Sequence, residues 1–271
     1  MKRITFLLLL LNIVAIAQQK MTWPKNKKAV IVLTYDDALA SQLDVAIPQL
    51  DAARLKATFF LTGYITDKTI PRWRAAGAKG YELANHTLYH PCLGKEIKGS
   101  SPENLTENYT IPAIIREIRM MNNFLFAVGG KVNRTYAYPC TETKVGGSSY
   151  VDSLRKTGLI QYARIGGDGR DMITDFTKLD PMLVPSWGVA ENTPGIKLVD
   201  FVKRVEKSGG MGVFMFHGIG GDYLTTSAEA HKELLDYLQK HRNDILVMTF
   251  EQAMDYVSQA NKMIAATNKG R

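Results

Sequence analysis

The segment Ala29-Val30-Ile31-Val32-Leu33-Thr34-Tyr35-Asp36-Asp37 runs from five apolar residues straight into two adjacent carboxylates. An unbroken apolar run this short, with no polar alternation, predicts a strand covered on both faces, as in a parallel sheet flanked by helices. The neighbouring sequence repeats the pattern. Residues 41–54 space Leu43, Ala46, Ile47 and Leu50 helically, Ala57 to Thr62 forms the next apolar run, and Gly63 ends it. A helix around 70–76 leads to Tyr81-Glu-Leu-Ala84, and a longer one over 112–126 has Pro112 near its first turn and Gly129-Gly130 past its end. Apolar runs at 135–138, 160–163, 182–184, 211–216 and 245–248 alternate with helical patterns at 149–157, 196–207, 227–240 and 250–260. Thr226-x-x-Glu229 reads as a capping box for the 227–240 helix. The alternation predicts one α/β domain with a parallel sheet covered by helices; a barrel or near-barrel of seven or eight strands fits the count, and a doubly wound open sheet is the alternative that spacing leaves open.

Composition bounds the rest. The 271 residues are 45% apolar and 22% charged, which excludes a disordered or fibrous chain, and two cysteines are too few for a disulfide scaffold. A formal charge of +8 raises the question of nucleic acid, but the 34 basic and 26 acidic residues are intermixed and no basic run exceeds Lys27-Lys28. A solvated basic surface, with no nucleic-acid partner, is the expectation. Met1-Lys2-Arg3, the apolar stretch from Ile4 to Ile16, and Ala15-Ile16-Ala17 together read as a cleaved secretory signal peptide, residues 1–17, with the domain occupying 18–271. The stretch is shorter than the roughly 20 residues a spanning helix needs, so no stable membrane anchor is expected, and the protein is placed outside the cytoplasm, periplasmic or extracellular. The sequence sets no oligomeric state.

Three polar groups stand at ends of apolar runs, where α/β folds gather their chemistry. Asp36 and Asp37 repel each other at a buried strand end, so one can bind a metal while the other takes a proton; acids at the start of the 41–54 helix are the alternative. His86 and His90 share a face if their segment is helical, which suits metal ligation, although such pairs also occur by chance on surfaces. His217 ends the run 212–216, where it is either functional or a core histidine bonded to a carbonyl. His231 and His241, in or just past a charged helix, read as surface residues.

This combination resembles the polysaccharide deacetylase family, also called the NodB homology or carbohydrate esterase 4 family. Thr34-Tyr35-Asp36-Asp37 matches its T-[FY]-D-D motif, His86-Thr87-Leu88-Tyr89-His90 its H-[ST]-x-x-H motif, and Phe214-Met215-Phe216-His217 its apolar strand ending in histidine. The resemblance covers roughly residues 29–250. It implies a distorted (β/α) barrel of about seven strands in a single α/β domain, and a metal-dependent hydrolase that removes N- or O-linked acetyl groups from a carbohydrate polymer or oligosaccharide. Asp37, His86 and His90 are then the metal ligands, Asp36 the base and His217 the acid. The metal is Zn²⁺ in first place, with Co²⁺ or Ni²⁺ fitting the same donors, and the partner is an acetylated glycan.

The chain departs from the family pattern at the third motif. R-x-P-[YF] is replaced by Ala137-Tyr138-Pro139-Cys140, close to a variant that reads F-A-Y-P-Y, so the arginine that pairs with the base is missing. Arg164, at the end of the 160–163 run, is the candidate replacement, a surface arginine the alternative. The backbone N–H of Cys140 is the expected oxyanion donor, with Tyr138 beside it on the substrate side. Trp187 serves either as a wall against the acetyl group or sugar, or as a core side chain. Asp168 or Asp171 would tune His217. A catalytically silent carbohydrate-binding protein, or a hydrolase of a non-sugar amide, are the competing readings on the same fold. Cys92 and Cys140 each follow a motif closely, so a disulfide across the rim of the site is expected, against two separate buried thiols or a metal-bound Cys92.

Overall fold

The computed structural model describes residues 21–96, 101–167 and 172–269. Residues 1–17 and the two aspartates Asp168 and Asp171 lie outside the described residues.

Strand β1 (Ala29–Asp36) is buried at every position and sits at the centre of an eight-stranded sheet whose pairings are parallel. The others are β2 (Thr58–Leu61), β3 (Glu82–Asn85), β4 (Thr135–Ala137), β5 (Tyr162–Arg164), β6 (Trp187–Gly188), β7 (Met211–Phe216) and β8 (Ile245–Met248). Their continuous order is β5-β4-β3-β2-β1-β7-β6. One edge of β1 pairs with β7 along Val30 to Tyr35. The other edge is shared: Ala29 to Val32 take β8, and Thr34 to Asp36 take β2. The two ends of the order are joined by one segment. Ala163 N–H donates to Pro181 O (2.8 Å) and Val184 N–H to Ala163 O (2.9 Å), while Val189 N–H donates to Met215 O (3.0 Å). The sheet therefore curls into a distorted barrel rather than opening into a doubly wound sheet.

Alternation along β1 separates two cores. Ile31, Leu33 and Tyr35 pack under α1 (Ile47–Ala53), α5 (Gly195–Ser208) and α6 (Ala228–Lys240). Val30 and Val32 face inward with Trp23 and with Phe250, Met254 and Val257 of α7 (Phe250–Lys269). The start of α7 is fixed inside the sheet, Phe250 N–H donating to Thr58 Oγ1 (2.8 Å) and Glu251 N–H to Glu82 Oε2 (2.9 Å). Thr249 and Gln252 form a reciprocal capping box there. A third cluster joins α3 (Ile111–Gly129) and α4 (Val151–Thr157) to β4 and β5. α2 (Ile70–Ala78) covers β2 through Trp73. Among the described residues no helix is long and apolar enough to cross a membrane.

Three local expectations change. The 41–54 helix begins as a π-turn over Gln42–Ala46, with Ile47 N–H bonded to Gln42 O, and becomes α-helical at Ile47. Pro48 brings no N–H and its ring crowds the preceding turn, which accounts for the looser first turn. The cap of α6 is Ser227, whose hydroxyl accepts from Ala230 N–H, not Thr226. His231 is not a surface residue: it is fully buried, with Nε2 2.6 Å from Tyr35 Oη and Nδ1 2.6 Å from Gln49 Oε1. His241, at the end of α6, stacks on Tyr237 and is half-buried.

Candidate active site

Adjacent strand residues point to opposite faces, so Asp36 and Asp37 need a backbone break to act together. Asp37 and Ala38 supply it with φ of 78° and 59°. Asp37 thereby leaves the strand direction, and both carboxylates approach one ring, His86 Nε2 lying 3.8 Å from Asp36 Oδ2 and 3.4 Å from Asp37 Oδ1. The pair does not serve as first-turn acids of a helix, since Asp36 ends the strand, Asp37 lies in a turn and helical structure starts only at Ala40.

His86 and His90 come together through a turn, not a helix, with Thr87 and His90 in the left-handed region (φ 66° and 50°). The turn is bonded throughout. Asn85 Oδ1 accepts from Thr87 N–H (2.8 Å), and Thr87 Oγ1 accepts from His90 N–H (2.9 Å). The buried carboxylate of Glu117 in α3 accepts from Leu88 N–H (3.0 Å), Tyr89 N–H (2.9 Å) and Tyr109 Oη–H (2.8 Å). His86 Nδ1 is 2.8 Å from Ala137 O, so that nitrogen carries the proton and Nε2 offers a lone pair.

Three donors then converge. His86 Nε2 and His90 Nε2 are 3.1 Å apart, and Asp37 Oδ1 stands 3.2 Å from His90 Nε2 and 3.4 Å from His86 Nε2. Bond lengths of about 2.0–2.1 Å at tetrahedral angles put neighbouring donors about 3.3–3.4 Å apart, so the set fits a divalent ion. Its electrostatics fit as well. Burial pushes Asp37 up, but the hydrogen bond with His86 and the charges of His86, His90 and His217 hold its carboxyl well below the usual range. Burial pushes His86 down, but the Asp36 charge and the Asp37 bond raise it overall. His90 is pushed down to about 4, first by burial and then by the His86 charge. One carboxylate oxygen and two imidazole nitrogens converging in this way make a donor set suited to a divalent cation.

Asp36 is held from behind. Arg164 Nη2 reaches its Oδ2 at 2.5 Å, Nη1 donates to Ser186 Oγ (3.1 Å), and Ser186 Oγ–H donates to Ile165 O (2.7 Å). The guanidinium is buried, 5.0 Å above the Phe60 ring, so Arg164 is not a surface residue. Asp36 Oδ1 has no hydrogen-bond partner among the described residues. On the far side of Asp37, His217 Nε2 lies 3.7 Å from Oδ2, and His217 Nδ1 is likewise without a partner among them.

Two residues that sequence reasoning passed over complete the arrangement. The buried amide of Gln42 donates to Asp36 O (2.5 Å) and His217 O (3.1 Å), tying the ends of β1 and β7 together. Tyr223, half-exposed near the His217 ring, donates its hydroxyl to Asp37 Oδ2. Neither belongs to an apolar run or a motif, so the sequence carries no signal for them.

Cys92 and Cys140 are joined in a disulfide with a Cα separation of 5.6 Å. It links the histidine turn to the loop after β4, where Cys140 itself turns left-handed (φ 48°). Tyr138, expected toward substrate, is instead buried in the third core cluster, its ring 5.0 Å from that of Tyr136 and 5.5 Å from that of Tyr150. Trp187 is half-buried and packs its ring on Phe201 of α5 and Phe214 of β7, so it follows the core alternative.

Residues 24–159 match the sequence profile of the polysaccharide deacetylases. The chain belongs to that family. Members of the polysaccharide deacetylase family are hydrolases that remove acetyl groups and depend in general on a metal. No curated protein sequence matches the chain. Among solved structures, the fold is similar to that of the peptidoglycan deacetylase PdaC from Bacillus subtilis, at 17% identity and a TM-score of 0.55, covering 90% of this chain and 98% of that one. It is similar to the Xyl-CE4 domain of a multidomain xylanase from the hindgut metagenome of Trinervitermes trinervoides, at 15% identity and a TM-score of 0.54, covering 84% and 90%. It is also similar to BA3943, a CE4 family pseudoenzyme from Bacillus anthracis, at 17% identity and a TM-score of 0.53, covering 86% and 67%.

Proposed function

We propose that this polysaccharide deacetylase family member is an exported, metal-dependent enzyme that hydrolyses acetyl groups, N- or O-linked, from a glycan. One observation carries the reading: the bare donors of Asp37, His86 and His90 converge at 3.1–3.4 Å beside a separate, Arg164-held carboxylate and a separate histidine. Asp37, His86 and His90 would hold the ion, Zn²⁺ foremost, which when bound polarises the acetyl carbonyl and acidifies water. Asp36 works through Oδ1, its unpartnered oxygen, taking a proton as water attacks the carbonyl carbon. Arg164 keeps Oδ2 occupied and so fixes which oxygen is presented. His217 returns a proton from Nε2 to the leaving nitrogen or oxygen, and the bond from that atom to the acetyl carbon breaks. The Cys140 N–H is the donor to the oxyanion, held toward the histidine turn by the disulfide.

Acetate release from a panel of acetylated glycans (chitin oligomers, peptidoglycan fragments, acetylated xylan), with the ion supplied and then chelated, tests the reading. Release that stops on chelation and resumes on readdition is expected. The competing reading is a silent glycan-binding protein, and the similarity to a pseudoenzyme gives it a concrete precedent. Retention of both acids and all three histidines disfavours it, because a binder needs no acid–base pair. Glycan binding without acetate release under any metal would establish that reading instead.

A further inference from the structure

Behind the histidine turn lies a groove of about 750 Å³ between that turn, the segment 103–109 and the outer face of α3. It is separate from the donor cluster but built on the same backbone. Tyr89, placed between the two histidines in the chain, lines it with an exposed ring. Beneath it, the Glu117 carboxylate spends its oxygens on Leu88 N–H, Tyr89 N–H and Tyr109 Oη–H, so the groove has a fixed floor with no spare anion. At the rim, the side chains of Arg116 and Asn104 make no hydrogen bond or ion pair among the described residues. Tyr64, also exposed, donates its hydroxyl to Tyr89 O (3.1 Å) and extends the aromatic edge.

We infer that this groove is a subsite for a neutral sugar unit of the same glycan chain whose acetyl group is hydrolysed at the donor cluster; the inference rests on the deacetylase reading above. The chemistry selects the occupant. Flat phenol rings with polar tips suit the C–H face of a pyranose, and free amide and guanidinium donors suit its hydroxyls. Glu103 offsets Arg116 at the rim, so no surplus positive charge is offered to a polyanion. Leu88, Ala113 and Met120 add apolar surface beside these polar groups, the mixture that the two kinds of face of a pyranose require. The volume is within the roughly 300–1,000 Å³ of small-molecule sites. Tyr89 directly precedes His90 in the chain, so one turn carries both a groove-lining ring and a donor of the cluster; on this proposal the enzyme measures chain length on the face of its own metal turn.

The test uses the full chain with Arg116→Ala and Asn104→Ala combined, two surface changes away from the donor cluster. The probes are the β-1,4-linked pentamer of N-acetylglucosamine, an acetylated xylopentaose, and the monomer of each. Calorimetric titration of the metal-free protein should show at least one pentamer bound by the wild type. The double variant should bind it about tenfold more weakly, as expected for losing two hydrogen-bonding groups, one of them charged. With the ion supplied, kcat/KM should fall similarly for that pentamer and stay unchanged for the monomer. Equal binding and turnover of pentamers by both proteins, or no pentamer binding by the wild type, would overturn the subsite. If no substrate releases acetate yet the tenfold binding loss remains, the deacetylase reading fails while the subsite stands.

Discussion

Arg164 is the residue on which the roles of the two carboxylates turn. It is buried against Asp36 and donates onward to Ser186, so its removal strands a carboxylate in the protein interior. Breaking a buried pair from one side costs about 3–5 kcal/mol; Arg164→Ala should lose that much in denaturant unfolding. Arg164→Lys should recover only part, because one ammonium cannot reproduce the fork that spans Asp36 and Ser186. A loss under about 1 kcal/mol for the alanine variant would show the pair to be energetically idle. The neighbouring acids separate by a second measurement. Asp36→Asn should keep the ion and lose at least about 10²-fold in rate, whereas Asp37→Asn should lower metal occupancy itself. Equal occupancy and equal residual rates would contradict the assignment. At this scale the sequence was informative wherever chemistry sat at the end of an apolar run, which is how Arg164 could be singled out without its motif. It was uninformative for Tyr138, whose tertiary packing against Tyr136 and Tyr150 is invisible in spacing.

Among the elements, α6 shows both what patterning conveys and how it misleads. Lys232, Glu233 and Asp236 make 227–240 look like a solvated helix, but His231 lies on the stripe of Leu234, Leu235 and Leu238, at helical spacings of three, four and seven. That stripe was the available signal. Buried between Tyr35 and Gln49, His231 is pushed down by burial to about 3, from an ordinary value of 6.5. Between those values the unfolded chain holds a proton that the folded one refuses, so stability falls as pH falls, with a slope of up to about 1.4 kcal/mol per pH unit from this group. Unfolding free energies of the wild type and His231→Gln between pH 4 and 7 should therefore differ in slope, and parallel curves would place the ring elsewhere. The cap of the same helix gives a sharper comparison. Ser227→Ala should cost about 1 kcal/mol, while Thr226→Ala, whose hydroxyl caps nothing, should cost measurably less by the same unfolding assay.

For the whole molecule, the alternating apolar runs sufficed to indicate a parallel sheet covered by helices, because such a sheet leaves each strand uninterrupted by polar residues, but not whether it closes or opens. The same runs could not indicate that β8 and β2 share one edge of β1, or that residues 181–189 join the two ends of the sheet. Those are choices among equivalent apolar partners, which the pattern of apolar residues along each run does not distinguish. The Cys92–Cys140 bond was foreseeable from position alone, and its energetic weight follows from its span. With a sequence separation of 48, loop closure alone gives about 4 kcal/mol in the chain-entropy model. Reduction of the folded protein should lower the melting temperature by many degrees, and a melt insensitive to reductant would show the unreduced chain to gain nothing from the constraint.

The span of that bond also bears on what a protease can achieve. Every peptide bond from Leu93 to Pro139 lies inside a covalent ring, including the whole of α3 and β4. A single cut within the ring leaves one molecule of unchanged connectivity between the histidine turn and the loop after β4. Such a nicked protein runs as two fragments on a reducing gel and as full-length mass without reductant, and Asp37, His86 and His90 before the cut stay tethered to Arg164 and His217 after it.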